Sequence, residues 1–152
     1  IQPNDRVLGV AIRGTDYTKL KPCGHPIQPE LQDVIQKTDE LLKNWNCNKV
    51  YLCTESEKTL IAFKKAFPNQ IVTTHREFYG DTGEKYVTEI SFQREHDKYL
   101  SGLEYLTSIY ILARCNCLLA SFASGVTATL LITNGFEKTY FWDLGVYGGK
   151  KF

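Results

Sequence analysis

Residues 6–16 read Arg-Val-Leu-Gly-Val-Ala-Ile-Arg-Gly-Thr-Asp. The first part of this stretch, residues 6–12, is an almost continuous apolar run, which is typical of a strand that is covered on both faces. The run ends in a charged, glycine-containing turn that begins at Arg13. Ligands of parallel α/β sheets sit at the carboxyl ends of the strands. The stretch therefore predicts a buried parallel strand with candidate functional residues directly after it.

The rest of the chain alternates between short apolar runs and amphipathic helical spacing. Further strands are predicted at residues 50–53, 70–74, 117–120 and 139–142, and helices at residues 30–45, 56–67, 99–113 and 126–133. Loops are predicted at residues 14–29 and 75–98 and a turn at 121–125, and we expect the last helix to lie buried deep against the sheet. We therefore predict a single α/β domain over residues 1–152, a Rossmann-like three-layer α/β/α fold with a mainly parallel sheet of about five strands.

The composition argues against several classes of partner and site. The chain has 152 residues, of which 43% are hydrophobic and 23% charged, and its net charge is +1. We expect no nucleic-acid binding, because there is no basic field, and no membrane span, because no apolar run approaches the roughly 18 residues that a span needs. Five cysteines without a CxxC pair predict neither a disulfide framework nor a zinc site, and they favour a cytoplasmic location. Because no Met and no signal peptide are present, we expect a fragment of a longer protein.

The turn after the first strand, residues 13–16, carries the first candidate site residues. Arg13 suits a diphosphate, because a planar guanidinium donates two parallel hydrogen bonds. Gly14 allows close approach of the backbone to a ligand. Thr15 and Asp16 are candidates for orienting Arg13 or for contacting a sugar hydroxyl, and Asp16 is also a candidate base. An ordinary strand end with a surface Arg–Asp pair explains the same residues.

Polar residues also follow the second strand, where Thr54 and Glu55 precede Ser56. Thr54 and Glu55 are candidate donor contacts at the same edge of the sheet. The alternative is a capped helix start with an acidic first turn, in which Ser56 is the N-cap.

The segment after the fourth predicted strand, residues 121–125, reads Ser-Phe-Ala-Ser-Gly. A helix N-terminus offers unpaired N–H groups and a positive dipole end, so this turn is a candidate anion site. Ser121, Ala123 and Ser124 are candidate phosphate contacts, and Gly125 leaves room for close approach. A plain serine N-cap is the alternative.

His25 lies in the predicted loop 14–29 and is a candidate catalytic base or a candidate contact to the sugar acceptor. A solvent-exposed histidine without a functional role is the commoner case. No Asp-x-Asp pair stands at a strand end. We therefore predict neither a metal nor a cofactor, and donor binding without metal.

Three segments resemble, in order, the motifs of the α-1,6-fucosyltransferases, nodulation fucosyltransferases and protein O-fucosyltransferases. Residues 9–16, Gly-Val-Ala-Ile-Arg-Gly-Thr-Asp, are similar to a G-V-H-x-R strand followed by T-D. Residues 50–55, Val-Tyr-Leu-Cys-Thr-Glu, resemble V-Y-L-A-T-D, and residues 112–125 resemble L-S-x-A-D-x-x-x-x-T-F-S-S. The loop at residues 17–29 looks like that of bacterial polysaccharide-biosynthesis relatives.

The resemblance implies a GT-B glycosyltransferase, in which two Rossmann-like halves enclose the active site. This chain is similar to the C-terminal half, which binds GDP-fucose, and the implied partners are the missing N-terminal half and a glycan acceptor. The family's phosphate-binding arginine and serine carry over to Arg13 and Ser124, and its acidic position to Glu55. The implied reaction is inverting and metal-independent, and the implied setting is polysaccharide biosynthesis in the cytoplasm, with the inner face of the membrane as an alternative for the full-length protein.

Two family positions that contact the nucleotide differ here. The family histidine before the arginine is Ala11, and the aspartate that binds guanine falls at Ser108, with Glu104 one helical turn away as a substitute. The resemblance thus implies binding of a nucleotide sugar and leaves its base open. The catalytic base is also open between the missing half, His25 and Asp16.

Two other functions compete with an active transferase, of which this half alone is expected to be inactive. The losses at Ala11 and Ser108 fit a nucleotide- or phosphate-binding module that has lost transfer activity. A flavodoxin-like regulatory domain would need a phosphoacceptor Asp after the third strand, where residues 73–75 read Thr-Thr-His.

Overall fold

The computed structural model describes residue 2 and residues 4–149. The strands are β1 (Val7–Ala11), β2 (Lys49–Cys53), β3 (Ile71–Val72), β4 (Cys117–Ser121) and β5 (Lys138–Trp142). The helices are α1 (Asp16–Leu20), α2 (Leu31–Asn44), α3 (Glu57–Ala66), α4 (Asp97–Leu112) and α5 (Ser124–Ile132), with a 3-10 turn at Val87–Glu89. The domain predicted over residues 1–152 also contains residues 1, 3 and 150–152, which lie outside the described residues.

The strands form one parallel sheet in the order β3-β2-β1-β4-β5. β1 lies in the middle, where Gly9 stands opposite Tyr51 of β2 and Leu118 of β4. The chain runs outward from β1 to β3 and then returns across the sheet to β4, so the strand order reverses between β1 and β4. In open α/β sheets the crevice at such a reversal, outside the carboxyl ends of the strands, is where ligands bind.

Helices cover both faces of the sheet, which makes β1 buried along its whole length. On one face α2 and α3 pack through Val34 and Phe63 against the alternate strand residues that include Leu8. On the other face α4 and α5 pack through Leu112 and Val126 against the remaining set, including Leu118. The alternation of strand side chains between two apolar layers gives the three-layer, Rossmann-like α/β/α fold that the sequence predicts, and this prediction is confirmed.

Gly9 allows α4 to approach β1 closely, because a Cβ at this position would lie 2.7 Å from Leu112 Cδ1 and 3.2 Å from Cys115 Sγ. We expect Gly9→Ala to lower the free energy of unfolding by about 1–3 kcal/mol through overpacking. Gly102, at an exposed position of α4, is the matched control, since a Cβ there meets nothing within 4 Å. Gly102→Ala should stabilise the chain by up to about 1 kcal/mol. Urea unfolding measures both, and equal effects at the two sites would contradict the close-packing argument.

Several predicted boundaries differ from those of the structure. The predicted loop 14–29 contains the five-residue helix α1, whose first amide groups are met by Asp16 itself, since Tyr17 N donates to Asp16 Oδ1 at 3.0 Å. Ser121 belongs to β4 rather than to a turn, because it continues the pairing with Trp142 of β5. β3 is limited to Ile71–Val72, and α4 begins at Asp97 instead of residue 99.

The expectation that α5 lies buried deep against the sheet is wrong for its outer side. Val126 and Thr129 are buried, but Leu131 is 81% exposed and Leu130 and Ile132 are 42% and 41% exposed. A helix that is apolar all round carries no stripe that would show which side faces the sheet. No helix in the described part of the chain is both long and apolar enough to span a membrane.

Candidate functional site

A cavity of about 240 Å³ opens at the carboxyl ends of β1, β2 and β4, on the face covered by α4 and α5. It therefore lies at the reversal of strand order. Its lining combines residues from the three strand ends, from the segment after β3 and from both helices: Ala11, Ile12, Arg13, Cys53, Thr54, Glu55, Arg76, Tyr79, Val87, Thr88, Ser101, Tyr105, Ile109, Leu112, Ser121, Ala123, Gly125 and Val126. The lining is mostly apolar.

Arg13 reaches this cavity directly from the end of β1, and two carboxylates hold it. Its Nη2 donates to Asp16 Oδ1 at 2.8 Å, and its Nε lies 3.5 Å from Glu55 Oε1. The guanidinium also lies 4.5 Å from the ring centre of Tyr17. The Nε of Arg13 is buried and makes no hydrogen bond to a described residue. The arginine is thus oriented by its neighbours, while its Nη1 makes neither a hydrogen bond nor an ion pair to a described residue.

Asp16 and Glu55 are buried acceptors that organise the turn after β1. Glu55 Oε1 accepts from Thr15 Oγ1 at 2.7 Å and from Gly14 N at 3.1 Å. Asp16 Oδ2 accepts from Val87 N at 3.2 Å, which ties the turn to the segment between β3 and α4. Both carboxylates therefore serve to position Arg13 and the turn.

Gly14 lies against the start of α3, because a Cβ there would be 2.5 Å from Thr59 Oγ1. Ser56 caps this helix, with its Oγ accepting from Thr59 N at 3.2 Å, as the capping alternative predicts. Thr54 and Glu55, just before the cap, both line the cavity.

The pKa values of Arg13 and Asp16 follow from their burial and from the charged and hydrogen-bonding groups beside them. Burial alone would lower the pKa of Arg13, but the charge of Glu55 and the hydrogen bond to Asp16 outweigh it and hold the pKa above its ordinary value. Burial alone would raise the pKa of Asp16, but the Arg13 guanidinium and the amides of Val87 and Tyr17 outweigh it and hold the pKa below 3.8. Both groups are charged at neutral pH.

Asp16 should contribute stability that acid removes. Its pKa in the folded chain is below the ordinary 3.8, so the unfolded chain binds more protons between these two values. The contribution is complete above the ordinary value and is lost as the pH falls through the folded value. We expect Asp16→Asn to be less stable than the wild type at about pH 5.5 but to lose less stability at about pH 3. Urea unfolding at both pH values measures this, and an unchanged difference between them in the variant would contradict it.

The start of α5 forms another wall of the cavity. Ala123 is the N-cap residue and makes no side-chain cap, and Ala123 and Gly125 line the cavity. Ser124 is the first helical residue and is exposed outside the lining. A Cβ at Gly125 would lie 2.7 Å from the Tyr105 hydroxyl, so this glycine lets Tyr105 lie over the helix start. The unpaired N–H groups of the first turn face a region where an anion is favoured.

Two neutral groups complete the polar surroundings. Burial raises the pKa of Tyr105, and it raises the pKa of the Cys53 thiol to about 12. The charged side chains that line the cavity in the described residues are therefore Arg13, Glu55 and Arg76.

Ser121 lines the cavity, whereas His25 lies outside its lining. Ser121 is buried and donates to Gln28 Oε1, which fixes the segment after α1 to the end of β4. His25 is exposed and packs edge-on to Tyr17, with 5.0 Å between ring centres. Tyr17 stands between His25 and Arg13, so the structure does not bring the histidine into the cavity.

The three candidate contacts to the nucleotide base, Ala11, Ser108 and Glu104, lie in different surroundings in the structure. Ala11 lines the cavity. Ser108 is 2% exposed and bonds inside the protein, with its Oγ 3.1 Å from Thr74 Oγ1. Glu104 accepts two hydrogen bonds from the guanidinium of Arg94 and lies outside the lining.

Sequence reasoning missed Arg76, Ser101 and Tyr105. Ser101, Tyr105 and Ile109 recur every fourth residue and so share one face of α4, a spacing that was available in the sequence. Arg76 had no such signal, because it follows a two-residue strand in an irregular segment.

The fold is similar to that of solved protein structures. Among solved structures, the chain is similar to POFUT1 in complex with GDP, at 10% sequence identity and a TM-score of 0.54, over 94% of this chain and 43% of that chain. Its fold is similar to part of the POFUT1 chain. POFUT1 in complex with GDP-fucose gives 11% identity and a TM-score of 0.53, over 94% of this chain and 42% of that one.

The chain spans less than half the length of the structures it matches. At this identity the likeness concerns the fold. No protein-family model matches the sequence, and the comparison with curated proteins gave no match. Among the described residues, no group of three or more His, Cys, Asp or Glu side chains is arranged to hold a metal ion.

Proposed function

We propose that this chain is the donor-binding domain of a fucosyltransferase-like glycosyltransferase and binds a nucleotide sugar, with GDP-fucose as the first candidate. The observation that carries the proposal is the cavity at the strand reversal, which is lined both by Arg13 and by the start of α5. The fold similarity to POFUT1, whose structures contain GDP and GDP-fucose, supports it. The whole chain, residues 1–152, acts as one domain in this proposal, and a second, N-terminal GT-B half closes the cleft over a glycan acceptor in polysaccharide biosynthesis.

The proposed reaction is a direct displacement with inversion. An acceptor hydroxyl oxygen forms a bond to the anomeric carbon, the bond from that carbon to the β-phosphate oxygen breaks, and the hydroxyl proton passes to a base. The nucleoside diphosphate leaves, and Arg13 and the N–H groups at the start of α5 stabilise its growing negative charge. In this proposal these groups act without a metal ion.

The base is proposed to lie in the other half of the cleft. Asp16 is 2% exposed and already accepts from Arg13, Tyr17 and Val87, so its oxygens are occupied. His25 lies behind Tyr17. Neither side chain lines the cavity.

A binding module without transfer activity is the second candidate. The observation that favours it concerns the position where the resembling family binds guanine. Ser108 at this position is buried, and its candidate substitute Glu104 is paired with Arg94. Assaying sugar transfer and donor hydrolysis with the full-length protein separates the two candidates.

A thermal-shift screen of this chain tests the binding proposal. The screen uses GDP, UDP, ADP, CMP and their common sugars, with and without EDTA. A ligand that binds only the folded state stabilises it by about 2.7 kcal/mol at a hundredfold excess over its dissociation constant. We expect a shift with GDP and GDP-fucose that survives EDTA. A shift with another nucleotide only would move the donor, a shift that EDTA abolishes would contradict metal independence, and no shift with any nucleotide would contradict nucleotide binding by this chain.

A further inference from the structure

Arg76 is a cavity arginine that has no acidic partner among residues 4–149. It lines the same cavity as Arg13, from the segment after β3, and is half-buried. Its Nε donates to the backbone oxygen of Glu77 at 3.2 Å, and its guanidinium lies 5.9 Å from the ring centre of Phe78. Within residues 4–149, its two terminal nitrogens make neither a hydrogen bond nor an ion pair.

Arg76 differs in this respect from the other partly buried arginines that the structure describes. The other partly buried arginines are all paired with carboxylates: Arg6 with Glu137, Arg13 with Asp16 and Glu55, and Arg94 with Asp97 and Glu104. A partly desolvated guanidinium normally finds an anion, because leaving its charge unpaired is costly. In the described part of the chain, Arg76 therefore has the donors for an anion but no anion of its own.

The backbone around Arg76 is fixed to the end of β2. Tyr79 N donates to Glu55 O at 2.8 Å, and Glu57 N donates to Tyr79 O at 2.9 Å. These two bonds form the bridge between Ser56 and Tyr79 and hold the segment beside the sheet edge. Arg76 thus belongs to an anchored segment, and it follows β3, whereas Glu55 follows β2 and Arg13 follows β1 in the order β3-β2-β1.

The charges of the cavity leave room for an anion at Arg76. The charge of Arg13 is already balanced by Asp16 and Glu55, which are 2% and 6% exposed. A nucleoside diphosphate carries more negative charge than a balanced Arg13 can neutralise. The additional positive charge lining the cavity belongs to Arg76.

We propose that Arg76 is a second anion-binding residue of this cavity and donates hydrogen bonds to a phosphate oxygen of the bound nucleoside diphosphate. This inference rests on the proposed function. A guanidinium offers its terminal N–H groups in a planar fork that matches phosphate oxygens, so Arg76 and Arg13 grip the diphosphate from two sides.

Calorimetric titration of the wild type and Arg76→Gln with GDP, UDP, guanosine and uridine tests the inference. We expect Arg76→Gln to weaken diphosphate binding by about 10- to 100-fold, as for the loss of charge-assisted hydrogen bonds, and to leave nucleoside binding unchanged. The affinity of the wild type should also fall more steeply with salt than that of the variant, because a charge pair is screened. Arg76→Lys should lose less than Arg76→Gln.

Arg114→Gln is the matched control. Arg114 is exposed, lies just after α4 and makes no ion pair with any described residue, so its replacement should leave GDP affinity unchanged. Equal GDP affinity of Arg76→Gln and the wild type, or an equal loss for guanosine, would overturn the role of Arg76 and leave the proposed function standing. Failure of the wild type to bind either diphosphate would overturn both.

Discussion

Replacing Arg13 by Ala should weaken binding of a nucleoside diphosphate to this chain by about 100-fold or more. Arg13 leaves the end of β1 at the strand reversal, and two buried carboxylates set its orientation. Arg13 and the start of α5 line the same cavity. The loss removes a preorganised charge where the diphosphate is proposed to lie, and in the full-length enzyme it should lower transfer by a similar factor.

The measurement is calorimetric titration with GDP, accompanied by the unfolding midpoint of each variant. The midpoint is needed because Arg13→Ala also leaves Asp16 and Glu55 without their counter-charge. Arg13→Lys keeps the charge but not the planar fork, and it should not restore affinity. Arg6→Ala is the matched control, because Arg6 precedes β1 at the opposite edge of the sheet and pairs with Glu137. Near-normal GDP affinity in folded Arg13→Ala would contradict the assignment of Arg13 as a diphosphate-binding residue.

Replacing Glu55 by Ala should lower the free energy of unfolding by about 3 kcal/mol. Glu55 is 6% exposed, and its Oε1 accepts from Gly14 N and Thr15 Oγ1 and lies 3.5 Å from Arg13 Nε. Its removal leaves the partly buried amide of Gly14 without its acceptor, leaves Thr15 Oγ1 with Asp16 Oδ1 at 3.3 Å, and takes one of two counter-charges from Arg13. Removing one partner of a buried ion pair costs more free energy than replacing both partners by apolar groups, because the remaining partner stays buried without a counter-charge.

Urea unfolding at neutral pH measures the effect. Glu55→Gln should fall between the wild type and Glu55→Ala, because an amide oxygen still accepts from Gly14 and Thr15. Asp39→Ala removes an exposed ion pair with Lys43 on α2 and should leave the midpoint almost unchanged. If Glu55→Ala were no more destabilising than Asp39→Ala, Glu55 would not be the organising acceptor of the turn.

The main elements of the fold could be predicted because their signals are local. The apolar run at the start of β1 and the period of α2 arise from neighbours in sequence, and both lie within a residue or two of the predicted bounds. Helix α1 was missed because its five residues are too few to show a period. The exposure of Leu131 was missed because a uniformly apolar helix carries no directional pattern.

The candidate site was predicted only where it lies at strand ends. Arg13, Glu55 and the 121–125 segment follow strands, and the carboxyl ends of parallel strands meet at one edge, so their convergence was inferred. Ser108 was assigned by its distance from the third family motif, and Glu104 because it lies one helical turn from Ser108. Spacing cannot tell that Ser108 turns inward to Thr74 or that Arg94 occupies Glu104.

The sequence by itself determined the order along the chain of the strands and the longer helices, because this order depends on local periodicity. It also placed an arginine and a helix start at one edge of the sheet, because the carboxyl ends of parallel strands meet there. The tertiary structure alone decided which of these groups face the cavity. It bound Asp16 and Glu55 to Arg13, placed Ser124 outside the lining, and brought in Arg76 from 63 positions along the chain. Such contacts join distant segments, and they follow from how helices pack on the sheet rather than from any local pattern.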